Sequence, residues 1–172
     1  MKSNITLIGM PGAGKSTVGI ILAKNMGAGF IDTDVLIQIN QQKRLQEIIE
    51  ESDHLNLRAI EEQEILKINI ERHVIATGGS AVYSEKAMAH LRTISMVVFL
   101  EVSFAEISRR IRNFETRGIA KAKAQTFEAL FDERQVLYRK YADITFDCSD
   151  LDQEQVAAQI VQTISAYSCR NA

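Results

Sequence analysis

The sequence predicts a three-layer α/β domain in which helices cover a five-stranded parallel sheet. Five short apolar runs of strand length recur along the chain, and longer segments of helical period lie between them. Strands buried on both faces give such unbroken apolar runs. Strands that alternate with helices pair in parallel through right-handed crossovers. We expect residues 1–172 to form a single domain, because this length suits one hydrophobic core.

The order of the elements follows from these patterns. The apolar runs predict strands over residues 4–10, 29–32, 74–77, 96–102 and 144–148. Apolar residues three or four positions apart predict helices over residues 16–26, 35–50, 55–70, 103–112, 127–141 and 153–167. Ser103 and Glu106 have the spacing of a capping box at the start of one of these helices. Residues 112–125 have no apolar period and are rich in Lys and Arg, so we interpret them as a mobile basic loop.

Composition and charge limit the classes of function. The net charge of −2 argues against nucleic-acid binding, which a basic excess would accompany. The chain has no run of 18 apolar residues and no signal-like start, so we expect a cytoplasmic protein without a membrane span. Cys148 and Cys169 have the spacing of neither a disulfide framework nor a metal site, which predicts free thiols. The three histidines are too widely spaced to predict a metal site.

The strongest motif is a phosphate-binding loop. Residues 9–17 read GMPGAGKST and fit G-x-x-x-x-G-K-[ST] between a predicted strand and a predicted helix. The glycine-rich backbone and the helix N-terminus suit phosphate oxygens, Lys15 suits the β- and γ-phosphates, and Ser16 suits Mg²⁺. We predict that the nucleotide is bound by Gly12, Ala13, Gly14, Lys15, Ser16 and Thr17. The chain carries no N-K-x-D tetrapeptide of a GTPase and is short for a motor ATPase.

Two carboxylates, Asp32 and Asp34, follow the second predicted strand. Ligands of parallel sheets bind at this edge, and both side chains point to one side if the strand geometry persists. One carboxylate then suits Mg²⁺, and the other can accept a hydroxyl proton. The alternative is local, a helix N-cap followed by a first-turn acid, which Thr33 and Asp34 also suit. The nearby phosphate loop favours the functional interpretation.

Two arginines have both a local and a functional interpretation. Arg58 suits a surface ion pair with Glu61 or Glu62 on its own helix. Arg134 lies on an otherwise apolar helix face, where an arginine either extends its head group to solvent or holds a buried anion. In isolation, extension to solvent is the better interpretation of Arg134.

A glycine pair and a loop arginine are further candidates. Gly78 and Gly79 follow the third predicted strand directly, and they form either a plain turn or a close backbone approach to a ligand. Arg117 lies in the basic loop, where it either closes over the nucleotide phosphates or remains a solvated charge.

Together these motifs resemble those of the shikimate kinase family, small P-loop kinases of the nucleoside-monophosphate-kinase type, over residues 5–147. The resemblance implies that Asp32 serves magnesium and that Asp34 contacts the substrate hydroxyls. It implies that Arg58, in an F-R-x-x-E pattern, binds the substrate carboxylate. Arg134, in an E-R-x-P-L-Y pattern, is implied to be the second arginine of this carboxylate clamp.

The same resemblance implies the remaining roles. Gly79 contacts substrate through its backbone, Arg110 lies against adenine, and Arg117 lies near the transferred phosphate. The implied reaction is transfer of the ATP γ-phosphoryl group to a hydroxyl of shikimate, with Lys15, Asp34 and Arg117 as the catalytic residues. ATP, Mg²⁺ and a small hydroxy acid are the expected ligands of a monomer. The resemblance also implies a substrate-binding segment around residues 33–60 and a lid around residues 112–125.

Several positions depart from the family pattern. Ser80 replaces the third glycine of a triple-glycine motif, Leu57 replaces a phenylalanine, and Val136 replaces a proline. Gly118 replaces a proline in the lid, and we expect it to loosen the lid because glycine has more backbone freedom to lose on closure. These changes leave two alternatives: a kinase for another hydroxy metabolite, such as a gluconate-like acid, and a poorly catalytic regulator that binds ATP and a ligand.

Overall fold

Strands and helices alternate along the chain. The computed structural model describes residues 2–111, 118–122 and 124–170, with side chains up to residue 166. The strands are β1 (Asn4–Ile8), β2 (Gly29–Asp32), β3 (His73–Ala76), β4 (Ser95–Glu101) and β5 (Ile144–Asp147). The helices are α1 (Lys15–Met26), α2 (Thr33–Gln41), α3 (Leu45–Glu51), α4 (His54–Leu66), α5 (Glu85–Ile94), α6 (Phe104–Arg110), α7 (Phe127–Tyr141) and α8 (Gln153–Arg170). A short 3-10 turn, Ala81–Tyr83, lies between β3 and α5.

The five strands form one parallel sheet in the order β2-β3-β1-β4-β5. From β1 the chain goes to one side for β2 and β3, and it then crosses back past β1 to β4 and β5. The strand order therefore reverses beside β1, and ligands of open parallel sheets bind at the carboxyl ends of strands near such a reversal. The predicted fold class is confirmed.

The core lies on both faces of the central strands. Every residue of β1 is buried, and Leu7, Ile75, Val98 and Phe99 have no exposed surface. Helix α1 packs against α8 and β3, whereas α5 packs against α4 and β4. Burial on both faces explains why the strands appear in the sequence as unbroken apolar runs. None of the helices in the described part of the chain is long and apolar enough to cross a membrane.

The helix predicted over residues 35–50 is wrong, because the structure has two helices there. Helix α2 ends at Gln41, and Gln42 adopts the left-handed conformation with φ of 53°. A new helix, α3, begins at Leu45, where the Glu47 carboxylate accepts a hydrogen bond from the Arg44 backbone N–H at 2.8 Å. The apolar spacing runs through this break, and no glycine or proline marks it, so no sequence pattern predicts it.

Two further expectations need correction. Helix α5 was not predicted, although Ser84 caps it by accepting a hydrogen bond from the Ala87 N–H at 3.0 Å. Ser103 does cap α6, but its predicted capping box is incomplete. The Glu106 carboxylate binds the side chains of Arg109 and Arg110, which follow it on the same helix. The other predicted elements differ from the structure by a few residues at their ends.

Candidate active site

The phosphate-binding loop joins β1 to α1 at the carboxyl edge of the sheet. Gly12 and Gly14 have φ values of 82° and 93°, which side chains rarely tolerate. A Cβ on Gly12 would also lie 2.9 Å from a side-chain carbon of Ile111. Gly14 precedes α1 without a side-chain cap, so the free N–H groups of the first turn and the helix dipole favour an anion there. Ala13 is buried within the loop, and its N–H donates to the Met10 carbonyl at 3.1 Å.

Lys15 lies under this loop as a buried cation. Its Nζ donates hydrogen bonds to the carbonyl oxygens of Gly9 at 2.8 Å and Met10 at 2.9 Å. Burial lowers the pKa of Lys15 to about 8, although the Asp34 and Asp32 carboxylates act in the opposite direction. The ammonium group is therefore still charged at neutral pH, and a phosphate beside it would favour that charge further.

Asp32 and Asp34 show that the local and the functional interpretations are compatible. Helix α2 begins at Thr33, so strand geometry does not continue through Asp34, and the expectation based on it is wrong. Asp32 caps α2 by accepting from the Asp34 N–H at 3.0 Å. Its other oxygen accepts from the Ser16 hydroxyl at 2.5 Å. Asp34 lies in the first turn of α2 and lines the same cavity as Lys15.

The oxygens of Ser16 and Asp32 suit a hard divalent cation at the edge of the phosphate loop. Within residues 2–111, 118–122 and 124–170, no group of three or more His, Cys, Asp or Glu side chains is placed to hold a metal ion. Mg²⁺ needs no such group, since it is bound by one or two protein oxygens together with substrate phosphates and water. The donor set therefore fits Mg²⁺ better than a metal that requires a full protein cage.

The turn after β3 brings backbone close to the carboxylates. A Cβ on Gly78 would lie 2.2 Å from Glu61 Oε1 and 2.5 Å from Asp34 Oδ1, so a side chain there would displace both. A Cβ on Gly79 would lie 2.9 Å from Arg134 Nη1. The Gly78 N–H donates to the Thr33 hydroxyl at 2.9 Å, which ties this turn to the start of α2. The glycine pair is thus required by close approach, beyond its role as a turn.

Glu61 is a site residue that the sequence placed only within a motif. Its side chain on α4 is 2% exposed, and Oε2 accepts a hydrogen bond from the Ser80 hydroxyl at 2.5 Å. Burial and the neighbouring Asp34 carboxylate raise the pKa of Glu61 to about 7, whereas the Ser80 hydrogen bond and the charge of Arg134 oppose this rise. The residue that replaces the family's third glycine therefore binds a buried carboxylate.

Arg134 does not reach solvent, so the interpretation preferred for it in isolation is wrong. Its side chain is 1% exposed, and its Nη2 donates to the carbonyl oxygen of Ala120 at 2.7 Å. Its Nε is buried without a hydrogen-bond partner among the residues that the structure describes. A buried guanidinium with unused donor capacity is a binding site for an anion.

Arg58 converges on the same carbonyl from α4. Its Nη2 lies 3.4 Å from the Ala120 oxygen, and its Nε is likewise buried without a described partner. The surface ion pair predicted for Arg58 is wrong, because Glu61 binds Ser80 and Glu62 binds the Ser84 hydroxyl at 2.5 Å. The sequence placed the two arginines 76 positions apart, and the fold brings both to one oxygen.

The described part of the predicted lid packs on the predicted substrate-binding segment. Residues 118–122 form no helix or strand, as predicted for the basic loop. The Gly118 N–H donates to the side-chain oxygen of Gln46 at 2.9 Å, and Ala120 is buried against Ile37, Ile48 and Leu57. Gly118 has a specific contact here, which gives no support to the expected loosening. Arg117 lies outside the described residues.

Arg110 lies at the opposite end of the site, beside the phosphate loop. Its Nε donates to Glu106 Oε1 at 2.7 Å, and its Nη1 lies 3.5 Å from the Gly12 carbonyl oxygen. The Glu106 carboxylate holds the guanidinium along α6, and one of its N–H groups points to the phosphate loop.

One cavity of about 360 Å³ connects these groups. The predicted site residues that line it are Gly12, Gly14, Lys15, Ser16, Thr17, Asp34, Gly79, Arg110 and Arg134. Asp32 lies behind Ser16 and lines a neighbouring cavity, and Ala13 is buried in the loop. One end of the cavity is therefore suited to phosphates, and the other end contains two carboxylates and a buried arginine.

Comparison with known proteins identifies the family. The family model for shikimate kinases matches residues 11–165. The chain belongs to the shikimate kinase family. It is 36% identical to the shikimate kinase of Mycobacterium avium over 177 aligned positions, which cover 100% of this chain and 99% of that protein. The family predicted from the sequence motifs is confirmed, and so is the assignment as a small-molecule kinase.

Solved structures agree with this assignment. The shikimate kinase from Acinetobacter baumannii, solved in complex with shikimate, matches with a TM-score of 0.89 and 27% identity, covering 96% of this chain and 94% of that one. Thymidylate kinase from Candida albicans matches with a TM-score of 0.55 and 17% identity, covering 96% and 92% of the two chains. The second match shows a shared fold alone.

Proposed function

We propose that this protein transfers the γ-phosphoryl group of ATP to a hydroxyl of shikimate, as a step of aromatic amino-acid biosynthesis. The observation that carries the proposal is the pair of arginines, Arg58 and Arg134, that both donate to the Ala120 carbonyl; Arg134 and Ala120 line the cavity, and Arg58 lies behind them. Two cations withdrawn from water favour an anion between them, and a carboxylate matches the planar fork of a guanidinium.

The nucleotide binds at the phosphate loop in this proposal. The β- and γ-phosphates take the N–H groups around Gly12 and Gly14, and Lys15 compensates the charge that develops on the leaving β-phosphate. Arg110 borders the loop on the side where the adenosine would lie. Arg117 acts on the transferred phosphoryl group in this scheme, as the family motif implies.

Ser16 and Asp32 are the residues proposed to hold Mg²⁺. The Ser16 hydroxyl is a ligand, and the Asp32 carboxylate orients it or a bound water. When bound, the ion supplies charge compensation to the phosphate oxygens. The cap that Asp32 provides to α2 fixes its carboxylate in place for this role.

Asp34 is proposed to accept the proton of the attacking hydroxyl. The oxygen of that hydroxyl forms a bond to the γ-phosphorus, the bond to the β-phosphate oxygen breaks, and ADP leaves. Asp34 borders both Gly78 and Glu61, so it faces the acceptor end of the cavity. Little covalent chemistry falls to the protein, because positioning and electrostatics dominate phosphoryl transfer.

The single domain is proposed to work as a monomer, with residues 33–60 as the substrate-binding segment and residues 112–125 as the lid. Gly79 borders the acceptor's path between the phosphate loop and Arg134. Its missing side chain leaves this path open beside Pro11. Closure of the lid excludes water and limits loss of ATP by hydrolysis.

An acceptor panel tests this function. ADP release is measured by a coupled assay with shikimate, with the uncharged amide of shikimate, with gluconate, and with no acceptor. Shikimate should give the highest kcat/KM. The amide should lose about 10- to 150-fold, the value of one charge-assisted hydrogen bond. Higher kcat/KM with gluconate would instead support a kinase for another hydroxy acid, and tight binding without turnover would support a regulator.

A matched pair of arginines controls this experiment. Arg134→Ala should raise the KM for shikimate while ATP affinity barely changes. Arg139, on the same helix, is exposed and pairs with Glu101. Arg139→Ala therefore removes the same kind of charge from α7 without affecting the cavity. If both variants raise the KM equally, the clamp is not at Arg134.

A further inference from the structure

Tyr83 lies against both arginines of the proposed acceptor site. The Arg58 Cζ is 3.5 Å from the centroid of the Tyr83 ring, and the Arg134 Cζ is 5.4 Å from it. Tyr83 ends the 3-10 turn that follows Gly79 and Ser80. One short segment therefore carries both the glycine turn beside the cavity and an aromatic ring against the two cations.

Arg58 needs a compensating partner at this place. Burial and the charge of Arg134 both lower the pKa of Arg58, because each disfavours a cation there. The acids of its helix that are nearest in sequence, Glu61 and Glu62, are bound to Ser80 and Ser84 instead. The face of an aromatic ring attracts a cation within about 6 Å, and most strongly when water is excluded.

A ring and a carboxylate compensate an arginine in different ways. A carboxylate accepts hydrogen bonds in the guanidinium plane, and it would occupy the donors that a substrate acid needs. A ring stacked on the guanidinium face stabilises the charge and leaves every N–H in the plane free to donate. The buried Nε of Arg58, which has no hydrogen-bond partner in the described part of the chain, is in keeping with this arrangement.

We propose that Tyr83 is a positioning residue for the acceptor's carboxylate: its ring holds the Arg58 guanidinium, and to a lesser degree that of Arg134, in the orientation that receives the acid. The proposal rests on the proposed function and goes beyond it, because it assigns the orientation of the clamp to a residue outside the family motifs. The ring is the active part. The hydroxyl of Tyr83 is buried, and burial and Glu133 raise its pKa whereas Arg134 lowers it, so a Tyr83→Phe variant is needed to separate the hydroxyl from the ring.

Three variants test the proposal. Tyr83→Leu keeps apolar bulk and removes the ring, and it should raise the KM for shikimate by about 2- to 30-fold, the range of a cation–π contact. The KM for ATP and kcat should stay within about twofold, since the ring touches neither nucleotide nor hydroxyl. Tyr83→Phe should behave like the wild type. Replacement of Tyr83 by fluorinated phenylalanines of nearly constant shape should raise the KM step by step as fluorine withdraws charge from the ring face.

Assays with the amide of shikimate distinguish a positioning role of Tyr83 from a packing role. With this uncharged acceptor, Tyr83→Leu and the wild type should have similar KM values, because the arginines no longer receive an acid. Equal losses with shikimate and with the amide would overturn the proposal in favour of a packing role. A Tyr83→Phe variant as impaired as Tyr83→Leu would also overturn it, since the hydroxyl would then be the active part. If Tyr83→Leu does not fold, the KM values of the fluorinated variants are sufficient to test the proposal.

The wild-type acceptor panel distinguishes failure of this proposal from failure of the function. If shikimate is phosphorylated with the highest kcat/KM and the fluorinated series shows a constant KM, only the role of Tyr83 is refuted. If shikimate is not the preferred acceptor of the wild type, the proposed function itself is wrong.

Discussion

Replacement of Gly118 by proline should weaken acceptor binding, even though proline is the residue that the family pattern carries there. Gly118 has a φ of 68°, and proline is restricted to about −65°. Proline also lacks the N–H that donates to the Gln46 side chain at 2.9 Å. A Cβ at this position would lie 2.7 Å from the Cβ of Leu45. The backbone must therefore move away from α3, and with it the Ala120 carbonyl that both arginines contact.

The magnitude follows from the two contributions. The lost hydrogen bond corresponds to about 0.5–1.5 kcal/mol, or about 2- to 12-fold in an equilibrium constant. A residue forced away from its native φ adds about 1–3 kcal/mol of strain or rearrangement. Since part of this cost is relieved when the loop relaxes, we expect the KM for shikimate to rise at least about 10-fold. The KM for ATP should change little, because Gly118 contacts α3 and not the phosphate loop.

Two control variants separate the contributions in the ADP-release assay. Gln46→Ala removes only the hydrogen bond and should raise the KM for shikimate by about 2- to 12-fold. Gly118→Ala keeps the N–H but adds the Cβ at positive φ, so its effect should be intermediate. ADP release without acceptor reports how well the lid excludes water. A Gly118→Pro enzyme with wild-type KM and kcat would refute the idea that this glycine fixes the lid against α3.

Three further predictions concern charged groups of the cavity. Lys15→Ala should lower kcat by at least about 100-fold, the effect of removing one preorganised cation, while the Kd for ATP measured by calorimetry weakens less because the backbone loop remains. Arg134→Lys should recover only part of the shikimate affinity that Arg134→Ala loses, since an ammonium lacks the planar fork. For Glu61, a folded-state pKa raised to about 7 means that its contribution to stability is present below about pH 4.5 and is lost as pH rises through about 7. The free energy of unfolding of Glu61→Gln, measured in urea, should therefore rise relative to that of the wild type by up to about 3 kcal/mol from pH 5 to pH 8. The same difference between the two proteins at both pH values would contradict the raised pKa.

The parts of the fold that the sequence predicted are those with a local cause. The central strands β1 and β4 are largely buried, so each gives an apolar run that can be read without its partners, whereas the edge strands β2 and β5 are only partly buried. The phosphate loop is likewise local, because Gly12 and Gly14 have conformations that only their own lack of a side chain explains. The break at Gln42 has no such signal, since nothing in its own chemistry demands a positive φ.

The surroundings of Arg58 and Arg134, which only the motif resemblance assigned to one site, depend on contacts between distant segments. Arg134 is buried because the Ala120 carbonyl, from a loop with no recognisable pattern, approaches its guanidinium. Arg58 has Tyr83 as its nearest described aromatic contact rather than an acid of its own helix. Neither contact follows from helical spacing, because each joins two elements whose approach is set by the sheet order.

Three of the four named departures, Ser80, Gly118 and Leu57, fall where this fold supplies another partner, whereas nothing in the structure explains Val136, which is 67% exposed. Ser80 adds a hydroxyl beside Glu61 and binds its carboxylate, which opposes the rise in pKa that burial causes. Gly118 adds an N–H where proline has none, and Gln46 accepts from it. Leu57 removes a ring from the residue before Arg58, and Tyr83 presents one from the turn after β3. Each change alters how a polar group is held and leaves the group itself in the cavity. Measured effects should therefore fall on the KM for the acceptor rather than on kcat, and a departure that mainly lowered kcat would show that the phosphoryl-transfer geometry had changed as well.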